Sequence, residues 1–234
     1  IAQLFNYQNA GTVEFLIDSE GRFYFTEIKS RIQIEHPVSE MVSGVDLIRE
    51  QIRIAAGAPL PCTQDDVTLR GVSMQVRINA EDPWNNYLPS PGRLKTFRLP
   101  GGPGVRVDTY GYGGCRVHLR FDPLLANVVV WGEEREECIT RLRRDIQDFK
   151  IVGVQTNLPL HLWILEDEDF VEGRYDTNFM THMRLDRGSD DPAMRRDLAV
   201  AAAVAFVLRN QMRNVTTPER LSSGWHRSSR RLPV

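Results

Sequence analysis

No stretch of this chain approaches the roughly 18 to 20 consecutive apolar residues that a membrane-spanning helix requires. The opening Ile1-Ala2-Gln3-Leu4-Phe5 lacks the basic region of a secretion signal. A cytoplasmic location with no membrane partner is therefore the expectation. Cysteine is scarce: Cys62, Cys115 and Cys138 lie far apart without any Cys-x-x-Cys spacing, which argues against a disulfide framework or a zinc site and leaves three free thiols. Neither charge sign dominates, since 29 basic residues meet 31 acidic ones for a net charge of -2, and no nucleic acid partner is expected. A phosphate loop of the order G-x-x-x-x-G-K-[ST] is also missing; the glycines near 92, 101–104 and 111–114 read as turns between strands. The acidic run Glu166-Asp167-Glu168-Asp169 lacks the spacing and glycine of a calcium loop and reads as a solvated loop.

What remains is ordinary globular material, 41% hydrophobic and 26% charged over 234 residues, enough for one large or two small domains. The chain lacks an initiator Met and opens inside an amphipathic segment, so it is expected to be part of something longer. Val13 to Ile17 and Phe23 to Ile28 alternate with the period of strands around the turn residues Asp18 to Arg22, which predicts a hairpin. If residue 17 pairs with 24, Glu14 stands opposite Glu27. Like charges so placed weaken a sheet, and either a divalent cation lies between them or the strands are offset and both carboxylates are solvated.

A short helical turn is expected at 39–43. Asp46 caps a predicted helix whose Val45, Ile48, Ile52 and Ala55 share a face and which Gly57 and Pro59 end. Thr63 to Asp66 reads as a polar linker. Strands follow at 72–78, 92–99, 105–110 and 125–131, then a helix over 133–149 with Ile139, Leu142, Ile146 and Phe149 as its buried stripe, a strand at 151–154 and a helix at 158–165. An alanine-rich helix is predicted over 192–214. The last thirty residues carry six arginines against one glutamate and read as a linker or docking tail.

The densest chemistry lies in Glu27-Ile28-Lys29-Ser30-Arg31-Ile32-Gln33-Ile34-Glu35-His36, where polar groups alternate with isoleucines that anchor the backbone, and in Arg77-Ile78-Asn79-Ala80-Glu81-Asp82-Pro83. These stretches, with Pro89-Ser90-Pro91-Gly92, Phe121-Asp122-Pro123-Leu124-Leu125-Ala126 and Val154-Gln155-Thr156-Asn157, follow one another as in the C-terminal half of biotin carboxylase, an ATP-grasp ligase. The chain closely resembles that family from about residue 11 to 183. The resemblance implies an α+β fold: the distal part of an ATP-grasp domain at 1–62, the biotin carboxylase C-terminal domain at 67–184, and an alanine-rich helix with a basic linker at 185–234. It implies the reaction of ATP, bicarbonate and biotin to ADP, phosphate and carboxybiotin, with Mg²⁺ or Mn²⁺ as cofactor and biotin on a carrier domain.

Matched residue by residue, Glu14 and Glu27 correspond to the family's metal-holding glutamates. Arg31 corresponds to the arginine that fixes bicarbonate, a planar guanidinium on a planar oxyanion, with Gln33 and the Ile34 backbone beside it. Glu35 corresponds to the general base that takes the bicarbonate proton, with Arg31 expected as the cation beside it. Arg77 corresponds to the arginine that stabilises the biotin enolate. His36 is expected to orient its neighbours, and Asp122 either orients Arg77 or is structural.

Three positions depart from the family pattern: Lys29 stands where an asparagine is usual, Asn127 for a lysine, and Phe121 for a tyrosine. A cation at 29 competes with a second metal. The family's nucleotide-binding domain, glycine-rich lid and phosphate lysines would precede Ile1, so the chain by itself is expected to be inactive. The tail, with Ser222-Ser223-Gly224-Trp225, resembles the linker of acyl-CoA carboxylase α chains, implying biotin carboxyl carrier and carboxyltransferase partners and a homodimer in the full-length protein. A carbamoyl-phosphate synthase or purine carboxylase shares the metal glutamates but is not expected to carry the Arg77 stretch. The non-enzyme alternative is a degenerate or excised domain serving dimerisation or carrier docking.

Overall fold

The computed structural model describes residues 1–182 and 192–213. The chain divides into two compact units, 1–185 and 186–234. In the first, β1 (Thr12–Ile17) and β2 (Phe23–Lys29) form an antiparallel hairpin. Asp18 shapes its turn, its Oδ1 accepting the backbone N–H of Glu20 at 2.9 Å and of Arg22 at 3.0 Å. The register differs from expectation in one respect: Ile17 pairs with Phe23, not with residue 24. A bulge between Glu14 and Phe15 absorbs the difference and brings Glu14 opposite Glu27.

Helix α1 (His36–Ser43) carries Pro37 in its first turn and ends at Gly44, whose positive φ of 72° lets its N–H reach the Glu40 carbonyl at 2.8 Å. Helix α2 (Leu47–Ala55) is capped as predicted, with Asp46 Oδ1 accepting from the Arg49 N–H at 2.8 Å. Its predicted apolar face is not buried. Ile52 is 67% exposed and Glu50 only 8%, because an apolar stripe is buried only where a second surface meets it, and among the described residues none covers Ile52. Residues 63–66, expected as a plain linker, form a turn in which the Asp66 carboxylate accepts from the Thr63 N–H and hydroxyl at 2.7 and 2.8 Å.

The remainder is built on short strands: β3 (Val72–Asn79), β4 (Glu81–Asp82), β5 (Leu88–Pro89), β6 (Gly92–Arg93), β7 (Thr96–Arg98), β8 (Val105–Thr109), β9 (Arg116–Val117), β10 (Leu124–Gly132) and β11 (Lys150–Val152). The predicted strand over 92–99 is two strands, β6 on β9 and β7 on β11. The chain changes partners at buried Leu94, whose N–H bonds the Cys115 carbonyl, and at Lys95, whose N–H bonds that of Val152. The principal sheet has the antiparallel order β3-β10-β8.

Period-two alternation gives this sheet two unlike faces. Ile78, Ala126, Val128 and Val130 pack against the stripe of helix α3 (Arg135–Asp148), namely Cys138, Ile139, Leu142 and Ile146, and against Phe149 and Leu165. Helix α4 (Leu158–Glu166) closes this layer. Asp167, expected in a solvated acidic loop, instead caps helix α5 (Glu168–Glu172), its Oδ1 accepting the Phe170 N–H at 3.1 Å. A smaller core of Ala80, Leu94, Cys115, Val117 and Leu125 joins the main one through Phe97, whose ring meets Phe149 edge-on at 5.3 Å. Helix α6 (Phe179–His182) ends this unit's described residues, and in the second unit helix α7 (Pro192–Arg213) is the alanine-rich helix. The arginine-rich tail, including Ser222 to Trp225, lies outside the described residues. Among the described residues no helix is long and apolar enough to cross a membrane.

Two consequences are testable by urea unfolding. Leu142→Ala removes side-chain volume from the closed core and should cost about 2–5 kcal/mol, whereas Ile52→Ala, on the uncovered stripe, should stay within about 0.5 kcal/mol of the parent. Asp145 is fully buried on α3, and burial pushes its carboxyl above the ordinary carboxylate range, opposed by the Arg144 guanidinium at 3.0 Å. A raised folded-state pKa gives stability that is present in acid and lost as pH rises through that value. Between about pH 7 and about pH 4 the unfolding midpoint of the parent should therefore climb relative to that of Asp145→Asn.

Candidate active site

The sheet face turned away from α3 is polar. Arg77, Asn127 and Asp108 lie side by side on β3, β10 and β8, with Gln75, Val129 and Arg106 forming the next row. Helix α1 is fastened to this face by Glu40. Its Oε2 accepts from Arg106 Nη1 at 2.5 Å, while its Oε1 accepts the Leu47 N–H at 2.6 Å, so one carboxylate ties β8 to the start of α2. Arg106 is held charged first by Asp108, whose Oδ2 lies 2.9 Å away, and then by Glu40.

That fastening brings the segment just before α1 onto Arg77. Glu35 Oε1 and Arg77 Nη2 form an ion pair across 42 sequence positions, with both side chains about half exposed. The cation expected beside Glu35 was Arg31, yet Arg31 is exposed, donates to the Ile32 carbonyl at 3.0 Å and makes no ion pair among the described residues. Side chains two apart on an extended segment share a side, but the turn after Ile32 ends that alternation, so adjacency in sequence did not carry over. His36 Nδ1 hydrogen-bonds the Gln33 carbonyl at 2.7 Å and fixes that turn. Asp122 accepts the Leu124 N–H at 2.9 Å, a structural turn role, and Phe121 is 77% exposed. Asn127, directly opposite Arg77, is buried, and its Oδ1 has no hydrogen-bond partner among the described residues.

Arg77 is also held from behind by residues that the sequence did not single out for this task. Asn157 is 4% exposed; its Nδ2 donates to the Arg77 carbonyl at 3.0 Å and its Oδ1 accepts the Asn79 N–H at 2.8 Å. His161 Nε2 lies 2.9 Å from the same Arg77 carbonyl, and burial pushes its imidazole pKa down against that hydrogen bond. The free edge of β3 thus continues its pairing into two side chains. Asn157 lies in the Val154-Gln155-Thr156-Asn157 stretch, which was the signal available in sequence.

In the hairpin, Lys29 Nζ contacts Glu14 Oε1 and lies 3.3 Å from Glu27 Oε1, and Gln33 Nε2 donates to the same Glu14 oxygen at 3.0 Å. The Lys29 hydrogen bond, then that of Gln33, hold the Glu14 carboxyl below its ordinary value, while Glu14 in turn raises the Lys29 ammonium. Two opposed carboxylates are hard donors suited to Mg²⁺ or Mn²⁺, but here an ammonium stands between them. No group of three or more His, Cys, Asp or Glu side chains able to hold a metal gathers among the described residues. As the side chains stand, this site does not fit a divalent ion.

Comparison with known proteins settles the lineage. The family described as biotin carboxylase C-terminal domain matches residues 75–182, and that described as carbamoyl-phosphate synthase L chain, ATP binding domain, matches residues 1–63. The biotin carboxylase of Nostoc sp. is 47% identical over 182 residues, covering 78% of this chain and 41% of the relative. The chain belongs to the biotin carboxylase family. It spans about two-fifths of the curated relatives' length. The biotin carboxylase domain of the Hydrogenobacter thermophilus 2-oxoglutarate carboxylase, solved with MgADP, ADP and bicarbonate, superposes with a TM-score of 0.76 at 40% identity, over 77% of this chain and 40% of that one. Pyruvate carboxylase from Rhizobium etli gives 0.78 at 37% identity, over 82% of this chain and 20% of its own. The biotin carboxylase fold is therefore present here as the distal ATP-grasp part followed by the C-terminal domain.

Half-exposed ion pairs contribute little to stability whereas a buried, fully engaged amide contributes more. Arg77→Gln and Glu35→Gln should each unfold within about 1 kcal/mol of the parent, while Asn157→Ala should cost about 1–3 kcal/mol. Equal losses at all three positions in urea titrations would make the Glu35–Arg77 pair a structural element.

Proposed function

We propose that this chain supplies the bicarbonate- and biotin-handling side of a biotin carboxylase, acting in the ATP-dependent carboxylation of biotin by bicarbonate through carboxyphosphate. The observation that carries this reading is the Glu35–Arg77 ion pair, which unites the two densest polar stretches of the sequence on one exposed sheet face. In the proposed reaction Glu35 takes the bicarbonate proton and the freed oxygen attacks the γ-phosphorus of ATP, releasing ADP and forming carboxyphosphate. That intermediate breaks into CO₂ and phosphate. Biotin then gives its N1′ proton to the phosphate just released and N1′ attacks CO₂, while Arg77 stabilises the enolate oxygen, a fixed cation where negative charge develops. Arg31, exposed and with donors to spare beyond its one bond to Ile32, receives the planar bicarbonate together with Gln33 and the Ile34 backbone. Glu14 and Glu27, which match the family's metal-holding glutamates, have the Lys29 ammonium between them and are given no metal in this reading.

The parent is proposed to be the α chain of a cytoplasmic acyl-CoA carboxylase, homodimeric and served by a biotin carboxyl carrier and a carboxyltransferase, with domains at 1–62 and 67–184 and the helix and tail at 185–234. Helix α7 supports this order of parts. The second reading, a domain kept for dimerisation or carrier docking, has one specific observation in its favour: the Lys29 ammonium lying on both hairpin carboxylates.

The test joins this chain to the N-terminal segment of the Nostoc relative and measures ADP release dependent on bicarbonate and free biotin. The chain alone should show none, since positioning catalysis collapses when one side of the clamp is absent. The joined protein should be active, and Glu35→Gln should lower its rate by about 10²- to 10⁴-fold, the scale of a general base. Biotin-dependent ADP release by the unjoined chain, abolished by Glu35→Gln, would overturn the division of labour. A joined protein that is folded but active only after Lys29→Asn would transfer the assignment to the non-catalytic reading.

A further inference from the structure

The carboxylates of Glu14 and Glu27 face one another across a two-stranded hairpin, where two like charges weaken the pairing. The group that relieves this belongs to the same hairpin. Lys29 lies two residues beyond Glu27 on β2, hence on the same face, and it pairs with Thr12, which makes it the diagonal neighbour of Glu14. Its four-carbon stem is long enough to set the ammonium against both carboxylates at once, touching Glu14 Oε1 and standing 3.3 Å from Glu27 Oε1. The Glu14 oxygen that it uses also accepts from Gln33 at 3.0 Å. A divalent ion brought to this pair therefore meets a positive charge already seated there and an oxygen already engaged.

We propose that the Lys29 ammonium is the resident cation of the Glu14–Glu27 pair, closing the hairpin without a metal and keeping Mg²⁺ and Mn²⁺ from binding between the two carboxylates. This deepens the proposed function and rests on it only for what the hairpin is for; the binding comparison needs no ATP, biotin or turnover. With Lys29 in place the three side chains sum to one negative charge, and without it to two. Removing the lysine both strips the repelling charge and frees the oxygens, so divalent affinity should rise while the metal-free hairpin loosens. Arginine at the same position keeps the charge and should keep the metal out.

The experiment titrates Mn²⁺ into the full chain and counts free ion by electron paramagnetic resonance, with amide hydrogen exchange over residues 12–17 and 23–29 followed in chelator and in Mn²⁺. Lys29→Asn should bind Mn²⁺ at least about tenfold more tightly than the parent or Lys29→Arg, and adding Glu14→Gln should remove the gain. In chelator the Lys29→Asn hairpin should exchange faster than the parent's and slow again with Mn²⁺, while the parent should be indifferent to the ion. A parent that binds Mn²⁺ as tightly as Lys29→Asn and loses it on Glu14→Gln overturns the proposal, as does a folded Lys29→Asn that binds no more tightly than the parent. If the asparagine hairpin does not form, Lys29→Met, similar in length and uncharged, carries the same comparison. Slowing of the parent's hairpin exchange by Mn²⁺ overturns the proposal whatever the variants do. Its failure leaves the Glu35–Arg77 chemistry untouched, and an inactive joined enzyme leaves the Mn²⁺ comparison unchanged.

Discussion

The central strand β10 is buried on both faces, and the rest of the first unit depends on how its two faces differ. Ala126, Val128 and Val130 press into the core beneath α3, so Asn127 and Val129 must face the other way, and the neighbours opposite Asn127 are then Arg77 and Asp108. A one-residue slip would exchange the faces, burying Arg77 under α3 and turning Ile78 to the other side. Register is thus set by apolar burial, and the polar row follows from it. The placement of Arg77 is a consequence of the core at Ile78.

Around that row the fold spends its polar interactions on holding backbone. Asn157 and His161 engage the Arg77 carbonyl, and Glu40 joins Arg106 to the start of α2. The Glu35 and Arg77 side chains themselves are left half exposed. Support is buried where the pair it supports is open, which separates the groups that hold the backbone from the groups left accessible along a few residues of β3.

The hairpin solves a different problem. Two opposed carboxylates need a positive charge, and a lysine two residues away can provide it as readily as a metal. Which one is present changes the net charge of that face and hence what it will bind. A single side chain at position 29 therefore decides whether this part of a biotin carboxylase fold carries its cation covalently.

Much of this was legible in the amino-acid order. The stripe Ile139, Leu142, Ile146 and Phe149 is buried as its spacing predicts, Asp46 caps α2, and the order of motifs from Glu27 through Arg77 to Asn157 pointed to the biotin carboxylase family. Local periodicity and turn chemistry determine such features, because they depend on neighbours within a few residues. Tertiary structure alone decided that Ile52 is exposed, that 92–99 breaks at Leu94 to serve two partners, that a bulge at Glu14 restores its place opposite Glu27, and that Arg31 stands apart from the Glu35–Arg77 pair. Each of these turns on which surface or charge arrives from far along the chain. Periodicity reports which side of an element is apolar or polar, but only packing determines what that side will meet.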